Sequence, residues 1–467
     1  MEKKNAWLGY SDENLKELEE LNEAYKAFIS DSKTERRSVI NAVKAAEKAG
    51  YVDLNTVIEE GRALKAGDKV YANGMGKTLA LFNIGEEPLE KGLNILGAHI
   101  DSPRIDVKQI PLYEEADFAF LDLHYYGGIK KYQWVTLPLA MYGVVVKKDG
   151  TVVDVAIGDD ENDPVLGITD LLIHLAQDQM QKNAAKVIEG EDLNLMIGSR
   201  PLKADEDADE KDKPKEAVKA NILKFLKEKY DIEEDDFISA ELEVVPAGKA
   251  RDFGLDRSMV MGYGQDDRVC AFTSLAAQLC VEHPKKTAVC LLTDKEEIGS
   301  VGATGAQSTF FENAVAEILN AMGIDSNLVV RRTLQHSRML SSDVTAAFDP
   351  NYPAVMEKKN AAFFGQGICF MKFTGRGGKS GSNDANAEYV AVIRKIMDDN
   401  GVRFQTSELG RVDVGGGGTI AYISANYGME VIDAGVPVLS MHAPWEICSK
   451  SDIYEAKKAY EAFLKDA

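Results

Sequence analysis

Five short apolar runs each give way, within a few residues, to a histidine or an acid: 95–98 to His99, 260–263 to Asp266 and Asp267, 288–292 to Glu296 and Glu297, 339–340 to Asp343, and 436–439 to His442. Runs this short and this continuously apolar read as strands buried on both faces, and such a sheet must be covered by helices on each side. Helical spacing appears at Val269, Phe272, Leu275, Ala276 and Leu279, and earlier at Leu15, Leu18, Tyr25 and Phe28, then Val39, Val43 and Ala46. Ser11 and Ser32 stand where N-caps would open the two early helices, with Glu35 three residues after Ser32 completing a capping box. The expected class is α/β, a mixed sheet flanked by helices.

At 467 residues the chain exceeds what one hydrophobic core usually organises, so two domains are expected. The alternation of strands and helices is interrupted over 108–245, which separates His99 from Asp266 by far more than a loop. That stretch has strand-like runs of its own at 142–146, 152–157 and 241–245, and a charged run over 203–211 that is too polar to pack. An inserted domain over 108–245, interrupting a domain made of 1–107 and 246–467, is the expected organisation. A formal charge of −22 opposes nucleic-acid binding, which rewards a basic face. No run reaches the 18 or so uninterrupted apolar residues of a membrane span, and Met1-Glu2-Lys3-Lys4-Asn5 lacks a signal peptide's apolar core, so neither membrane insertion nor secretion is expected. An odd count of five cysteines suits free thiols in a reducing cytoplasm.

The polar ends of the runs carry the chemistry. Asp101 follows His99 by two residues, so in extended backbone the two share a face, and the acid can hydrogen-bond the imidazole or its neighbours and fix the nitrogen that binds metal. Read as a strand continuation, Glu296 and Glu297 point to opposite sides, so that one can bind a metal while the other faces across the pocket as a base. Asp266 and Asp267 precede a helix, where Asp267 also suits an N-cap. One histidine, an acid before a helix, a glutamate pair, a further acid and a final histidine make the mixed nitrogen and oxygen set that two divalent cations take.

Three glycine-containing stretches need separate reading. Tyr71-Ala72-Asn73-Gly74-Met75-Gly76-Lys77-Thr78 ends like a phosphate-binding loop but has Tyr71 where the first glycine belongs, and is rejected as one. Gly415-Gly416-Gly417-Gly418-Thr419 lacks nucleotide-fingerprint spacing and reads as backbone that passes close to substrate or to the metal site. In Arg376-Gly377-Gly378-Lys379-Ser380-Gly381, Lys379 is a candidate to touch a substrate carboxylate.

In order, Gly97-Ala98-His99-Ile100-Asp101-Ser102-Pro103-Arg104, Gln265-Asp266-Asp267-Arg268, Asp294-Lys295-Glu296-Glu297-Ile298-Gly299-Ser300, Ser341-Ser342-Asp343 with Asp349-Pro350-Asn351-Tyr352, and Ser440-Met441-His442-Ala443-Pro444 resemble the motifs of the M18 metallo-aminopeptidases, the aminopeptidase I and aspartyl aminopeptidase family. The resemblance spans nearly the whole chain. It implies that Asp266 bridges two metal ions, most readily zinc with cobalt or manganese as alternatives, that His99 and Asp343 complete one site, and that Glu297 and His442 complete the other. It implies Glu296 as general base and Asp101 as the acid that orients the ligands. It further implies attack by metal-activated water on short peptides with a free amino terminus, a β-rich inserted domain that dimerises, and closed homo-oligomers, typically dodecamers. His174, in Leu171-Leu172-Ile173-His174-Leu175, matches a family histidine that reaches a neighbouring subunit's active site, whereas its sequence spacing by itself reads as an amphipathic helix.

The acid-preferring branch of the family carries histidines where this chain has Ala346 and Asp349, so neutral or hydrophobic amino-terminal residues are the expected substrates. The competing readings are an aspartyl or glutamyl preference within the same family, a related two-metal hydrolase such as a dipeptidase or deacylase, and a catalytically silent assembly protein that keeps the fold. Intact ligands and an intact Glu296 argue against the last.

Overall fold

The computed structural model describes residues 4–203 and 214–467, and most of the charged run, 204–211, lies outside the described residues. The chain divides into two compact units, one made of Met1–Ser102, Ala250–Met441 and Trp445–Ala467, the other of Pro103–Lys249 with His442–Pro444.

In the first unit a nine-stranded sheet has four parallel strands at its centre, in the order Ala288–Thr293, Asn94–His99, Arg338–Ser341 and Glu430–Gly435. Every residue of Ala288–Thr293 and of Asn94–His99 is buried, as a strand covered on both faces requires. Successive side chains divide between two cores. Leu96, Ala98, Cys290 and Leu292 join Val269 and Leu275 of the helix Gln265–Cys280 and Tyr460 and Phe463 of Lys450–Asp466, whereas Ile95, Val289 and Leu291 join Val315 and Ile318 of Phe310–Ala321. Thr78–Asn83 and Lys69–Gly74 extend one side of the sheet antiparallel, joined by the hairpin turn at Met75 and Gly76 that the sequence imitates as a phosphate loop.

The order of these strands positions the site. The chain leaves Asn94–His99, adds Ala288–Thr293 on one side and then Arg338–Ser341 on the other, so the strand order reverses at Asn94–His99. In open α/β sheets a crevice forms at such a reversal, beyond the carboxyl ends of the strands. Thr293 is level with His99, and Ser341 is level with Gly97 and with Asp433, so the residues that follow these strands emerge on one edge. A second, five-stranded sheet pairs Met259–Gly262 with Glu446–Ser449, which sets Gly262 opposite Glu446.

The helix starts differ from expectation at one place. Ser11 caps Asp12–Asp31 with a capping box completed by Asn14, but the next helix, Glu35–Lys48, is capped by Thr34, whose hydroxyl accepts from Arg37 N. Ser32 instead closes the first helix, donating its backbone N–H to Phe28 O. Both residues are plausible caps by composition, and only three residues separate the helices, so the hydroxyl nearer the second helix takes the role.

The second unit holds a six-stranded antiparallel sheet in the order Val152–Ile157, Leu139–Val146, Ala240–Pro246, Arg104–Glu115, Phe118–Tyr126 and Asn194–Gly198, with the helix Ala217–Tyr230 beside it. The helix read around His174 reduces to one 3-10 turn, Ile173–Leu175, with Leu171, Leu172, Ile173 and Leu175 exposed. Among the described residues nothing in this unit buries that apolar stripe, and a short segment without a buried face does not hold an α-helix.

Leu292, fully buried in the strand that leads to the glutamate pair, tests the sheet as the unit's core. Leu292→Ala should lower unfolding stability by about 2–5 kcal/mol, read from the urea midpoint. An unchanged midpoint would show that the strand is not core.

Candidate metal centre

The carboxyl ends of the central strands bring one histidine and several acids together. His99 is the last residue of its strand and is almost fully buried. Its Nδ1 lies 3.1 Å from the Asp101 carbonyl oxygen and 3.2 Å from Asp101 Oδ1, which leaves Nε2 directed at Asp266, with Oδ1 at 3.3 Å. Asp101, fully buried, accepts the Glu296 backbone N–H at Oδ1 and the Glu297 backbone N–H at Oδ2, both at 3.1 Å. Asp101 thus reaches further than the imidazole: it also fixes the turn that carries both glutamates.

That turn departs from the sequence expectation. The strand ends at Thr293, and Glu296–Ile298 forms a 3-10 turn between Lys295 (φ 68) and Gly299 (φ 97). Successive residues in a 3-10 turn are rotated by about 120° rather than 180°. The two glutamates therefore do not point to opposite sides, and carboxylate oxygens of both stand within 4.8 Å of a His99 nitrogen and of each other.

A second group, all buried, consists of His99, Asp267 and Asp343, again with ligand atoms within 4.8 Å. For Asp267 the sequence leaves a ligand and a helix cap both open, and the structure groups it with His99 and Asp343. The helix begins at Gln265, with Gly264 (φ 69) at its cap, and Asp267 lies inside the first turn. A side chain at Gly264 would stand 2.6 Å from the Arg268 guanidinium, so the close packing there needs glycine. Asp267 Oδ2 accepts the His99 backbone N–H at 3.2 Å, while Oδ1 is buried without a hydrogen bond. Asp266 is held from two directions, its N–H donating to Glu446 Oε2 at 3.0 Å and its carbonyl accepting from Ser102 Oγ at 2.6 Å, and the preceding Gln265 Nε2 donates to the Glu446 carbonyl at 2.6 Å. Glu446 was not foreseen, although it lies four residues beyond His442 in a segment already singled out.

The electrostatics explain what such a cluster needs. Burial raises the pKa of Asp343 well above the usual carboxylate range, the neighbouring charges of Asp267, Glu296 and Asp266 raise it further, and His99 acts in the opposite direction. Asp267 is likewise raised by burial and by Asp266, against the pull of His99. Burial lowers the pKa of His99, but its bonds to Asp101 and Asp266 more than reverse this and hold it well above its ordinary value. Several acids around one imidazole cannot all ionise out of water without added positive charge. A buried donor set of one nitrogen and many carboxylate oxygens, one of them without a hydrogen-bonding partner, fits divalent cations of zinc or manganese type.

Two further candidates have neighbours of their own. His442 belongs with the second unit, where its Nδ1 lies 3.0 Å from the Gly128 carbonyl oxygen. Lys379 Nζ lies 3.0 Å from Asp384 and 3.7 Å from the Phe373 ring centre, so its charge is met locally by a loop neighbour.

The family model described as aminopeptidase I zinc metalloprotease (M18) matches residues 28–464. A Clostridium acetobutylicum relative named "Probable M18 family aminopeptidase 1" is 62% identical over 465 residues, covering 100% of this chain and 98% of its own. The crystal structure of an M18 aminopeptidase from Thermotoga maritima is similar with a TM-score of 0.93 at 43% identity, covering 100% of both chains. That of aminopeptidase I from Clostridium acetobutylicum has a TM-score of 0.91 at 59% identity, covering 99% of each.

Replacing the residue that orients His99 and both glutamates should weaken metal binding while leaving every direct donor in place. Asp101→Asn is expected to reduce zinc affinity about 10- to 100-fold, measured by competition with a chelating dye. Wild-type affinity would show that Asp101 does not organise the cluster.

Proposed function

The chain belongs to the M18 family of zinc aminopeptidases, and on that footing we propose that it removes amino-terminal residues from short peptides with two divalent ions, Asp266 being shared between them. The observation that carries this reading is the bracing of His99, Glu296 and Glu297 by the single carboxylate of Asp101. In the assignment His99 and Asp343 hold one ion, Glu297 and His442 the other. Asp267 keeps the strand end in place through the His99 N–H rather than serving as the shared ligand. Divalent ions held this way supply Lewis acidity toward water and a peptide carbonyl.

Glu296 is the general base. Its backbone is fixed by Asp101, and its carboxylate stands beside the ligand atoms without being needed to hold an ion, so it can take a proton from the attacking water and deliver it to the leaving amine. Crowding by the neighbouring acids favours that transfer, because a proton on any one of them relieves repulsion among the rest.

The neutral or hydrophobic preference rests on Ala346 and Asp349, which offer no cation to an acidic side chain. Lys379 is kept as a substrate contact only for a peptide that can displace its ion pair with Asp384. The domain over 108–245 is assigned to dimerisation, and His174 to a neighbouring subunit's site; the exposed apolar residues around His174 support a covered position in an assembly. A structure of the yeast mApe1 dodecamer, 22% identical with a TM-score of 0.76, shares the fold, and a dodecamer is the assembly proposed for this chain. No helix among the described residues is long and apolar enough to cross a membrane; the cytoplasmic setting proposed here rests on the odd count of five cysteines.

A panel of aminoacyl chromogenic substrates, free and N-acetylated, tests the activity. Turnover of leucyl and alanyl substrates over aspartyl ones, with none on acetylated forms, is expected. A preference for aspartyl substrates would move the chain to the other branch, and no turnover with metal bound would favour the silent assembly protein. Glu296→Gln should keep its metal and lose about 10²–10⁴-fold in kcat, whereas His99→Ala should lose metal occupancy. Near wild-type turnover by the Gln variant would remove Glu296 as base.

A further inference from the structure

The turn that carries the two glutamates also holds apolar side chains out to solvent. Ile298 directly follows Glu297 and is 48% exposed, and Val301, three residues on, is 61% exposed. Ile298 is the third residue of the 3-10 turn Glu296–Ile298. At about 120° per residue it takes a direction different from both glutamates, whose carboxylates go to the ligand cluster.

Single exposed apolar residues are ordinary on a protein surface, but these two stand on a loop that is fixed on every side. Asp294 and Thr304, both buried, close its base: Asp294 Oδ2 accepts from Thr304 Oγ1 at 2.6 Å, Oδ1 accepts the Lys295 N–H at 2.8 Å, and the Asp294 N–H donates to the Thr304 carbonyl at 3.2 Å. Ser300 N donates to Lys295 O at 2.7 Å, Gln307 N to Ser300 O at 3.1 Å, and Gln307 Nε2 to Gly299 O at 2.9 Å. A Cβ on Gly305 would stand 2.3 Å from the Ser300 carbonyl oxygen, so the loop closes tightly on itself. Ile298 and Val301 are thus held in place without being buried, which is the condition of a surface prepared for a ligand.

A third exposed apolar side chain extends from the same edge. Leu79 is level with Leu292 in the antiparallel pairing, and Thr78 Oγ1 donates to the Leu292 carbonyl at 2.8 Å. The hairpin tip at Met75, 70% exposed, therefore extends past the carboxyl end of Ala288–Thr293, the end from which the glutamate turn starts. A Cβ on Gly74, beside Met75, would stand 2.9 Å from the ring of Phe310, which opens the helix that follows the loop.

We propose that Ile298, Val301 and Met75 form an apolar subsite for the side chain of the residue that follows the scissile bond, so that the preferred substrates are peptides with a leucine- or phenylalanine-like second residue. The proposal rests on the aminopeptidase reading and on Glu296 as its base. Glu296 delivers its proton to the leaving amine, which is the nitrogen of that second residue, so the leaving half of the peptide lies against the turn that carries Glu296. Ile298 is two positions along the same turn. The unbranched thioether of Met75 adapts to side chains of different shape.

Dipeptides with a common amino-terminal leucine test this on the full-length, zinc-loaded enzyme: Leu-Leu and Leu-Phe against Leu-Gly and Leu-Asp. Wild-type kcat/KM should be about tenfold or more higher for the apolar pair, the scale on which an apolar pocket discriminates. Ile298→Ser and Val301→Ser should each cut the ratio of kcat/KM for Leu-Leu over Leu-Gly about tenfold, whereas Ile298→Leu, which keeps the apolar surface, should hold the wild-type ratio. A wild-type ratio near one would overturn the proposal, as would serine variants that keep the ratio but change particle size in light scattering, which would assign these residues to a contact between copies. Serine variants that lose zinc and fall equally on all four dipeptides, or that alter only the choice between alanyl- and leucyl-glycine, would overturn it too. A wild type that hydrolyses neither these dipeptides nor their aspartyl counterparts would instead defeat the aminopeptidase reading.

Discussion

Both oxygens of one buried carboxylate, that of Asp101, hold the site together: Oδ1 takes the Glu296 amide and lies 3.2 Å from His99 Nδ1, and Oδ2 takes the Glu297 amide. A charged acceptor shared among three donors makes each contact stronger and more directional than a neutral one would be. It also joins two strands that are neighbours in the sheet but nearly two hundred residues apart in sequence, since Asp101 follows Asn94–His99 and the glutamates follow Ala288–Thr293. Remove that link and the imidazole and the two glutamates lose their common reference.

The rest of the cluster is arranged at a cost that only added positive charge offsets. Asp267 and Asp343 are raised above the usual carboxylate range by burial and by each other's neighbours, and a single histidine cannot neutralise them with Asp266, Glu296 and Glu297 close by. The fold accepts this because the strand reversal at Asn94–His99 places the ends of parallel strands side by side, where a crevice is unavoidable and where side chains from distant segments converge. Stability comes from the two apolar layers beneath and chemistry from the edge. The same strands serve both, with alternate residues feeding each core, and His99 at one strand end and Glu296, Glu297 and Asp343 just past two others feeding the site.

Much of this was legible in the sequence, for a physical reason. Strands such as Ala288–Thr293 are covered on both faces and so are written as unbroken apolar runs, and the residues that matter lie where those runs stop. His99, Asp101, Glu296, Glu297 and Asp343 were singled out that way, and the structure brings them close together. What failed was local geometry past the strand ends. The backbone turns into a 3-10 bend at Glu296, so the two-fold alternation that separated the glutamates does not apply. Asp267 looked like a cap because its partner, the His99 amide, is 168 residues away and leaves no trace in nearby sequence. Ser32 and Thr34 compete for the same role two residues apart, and composition cannot rank them. The glycine run 415–418 was read as backbone close to substrate or to the metal site; the structure adds that Gly415 and Gly416 pack against the backbones at Leu409 and Gly375, a contact between loops that only tertiary structure discloses.

Anomalous scattering from crystals of the zinc-loaded protein, collected on both sides of the zinc edge, tests the central claim most directly. The account predicts two peaks at the carboxyl end of Asn94–His99, separated by about 3.5–4 Å with the Asp266 carboxylate between them, His99 Nε2 on one and Glu297 on the other. A single peak, or two peaks of which neither touches Asp266, would contradict it.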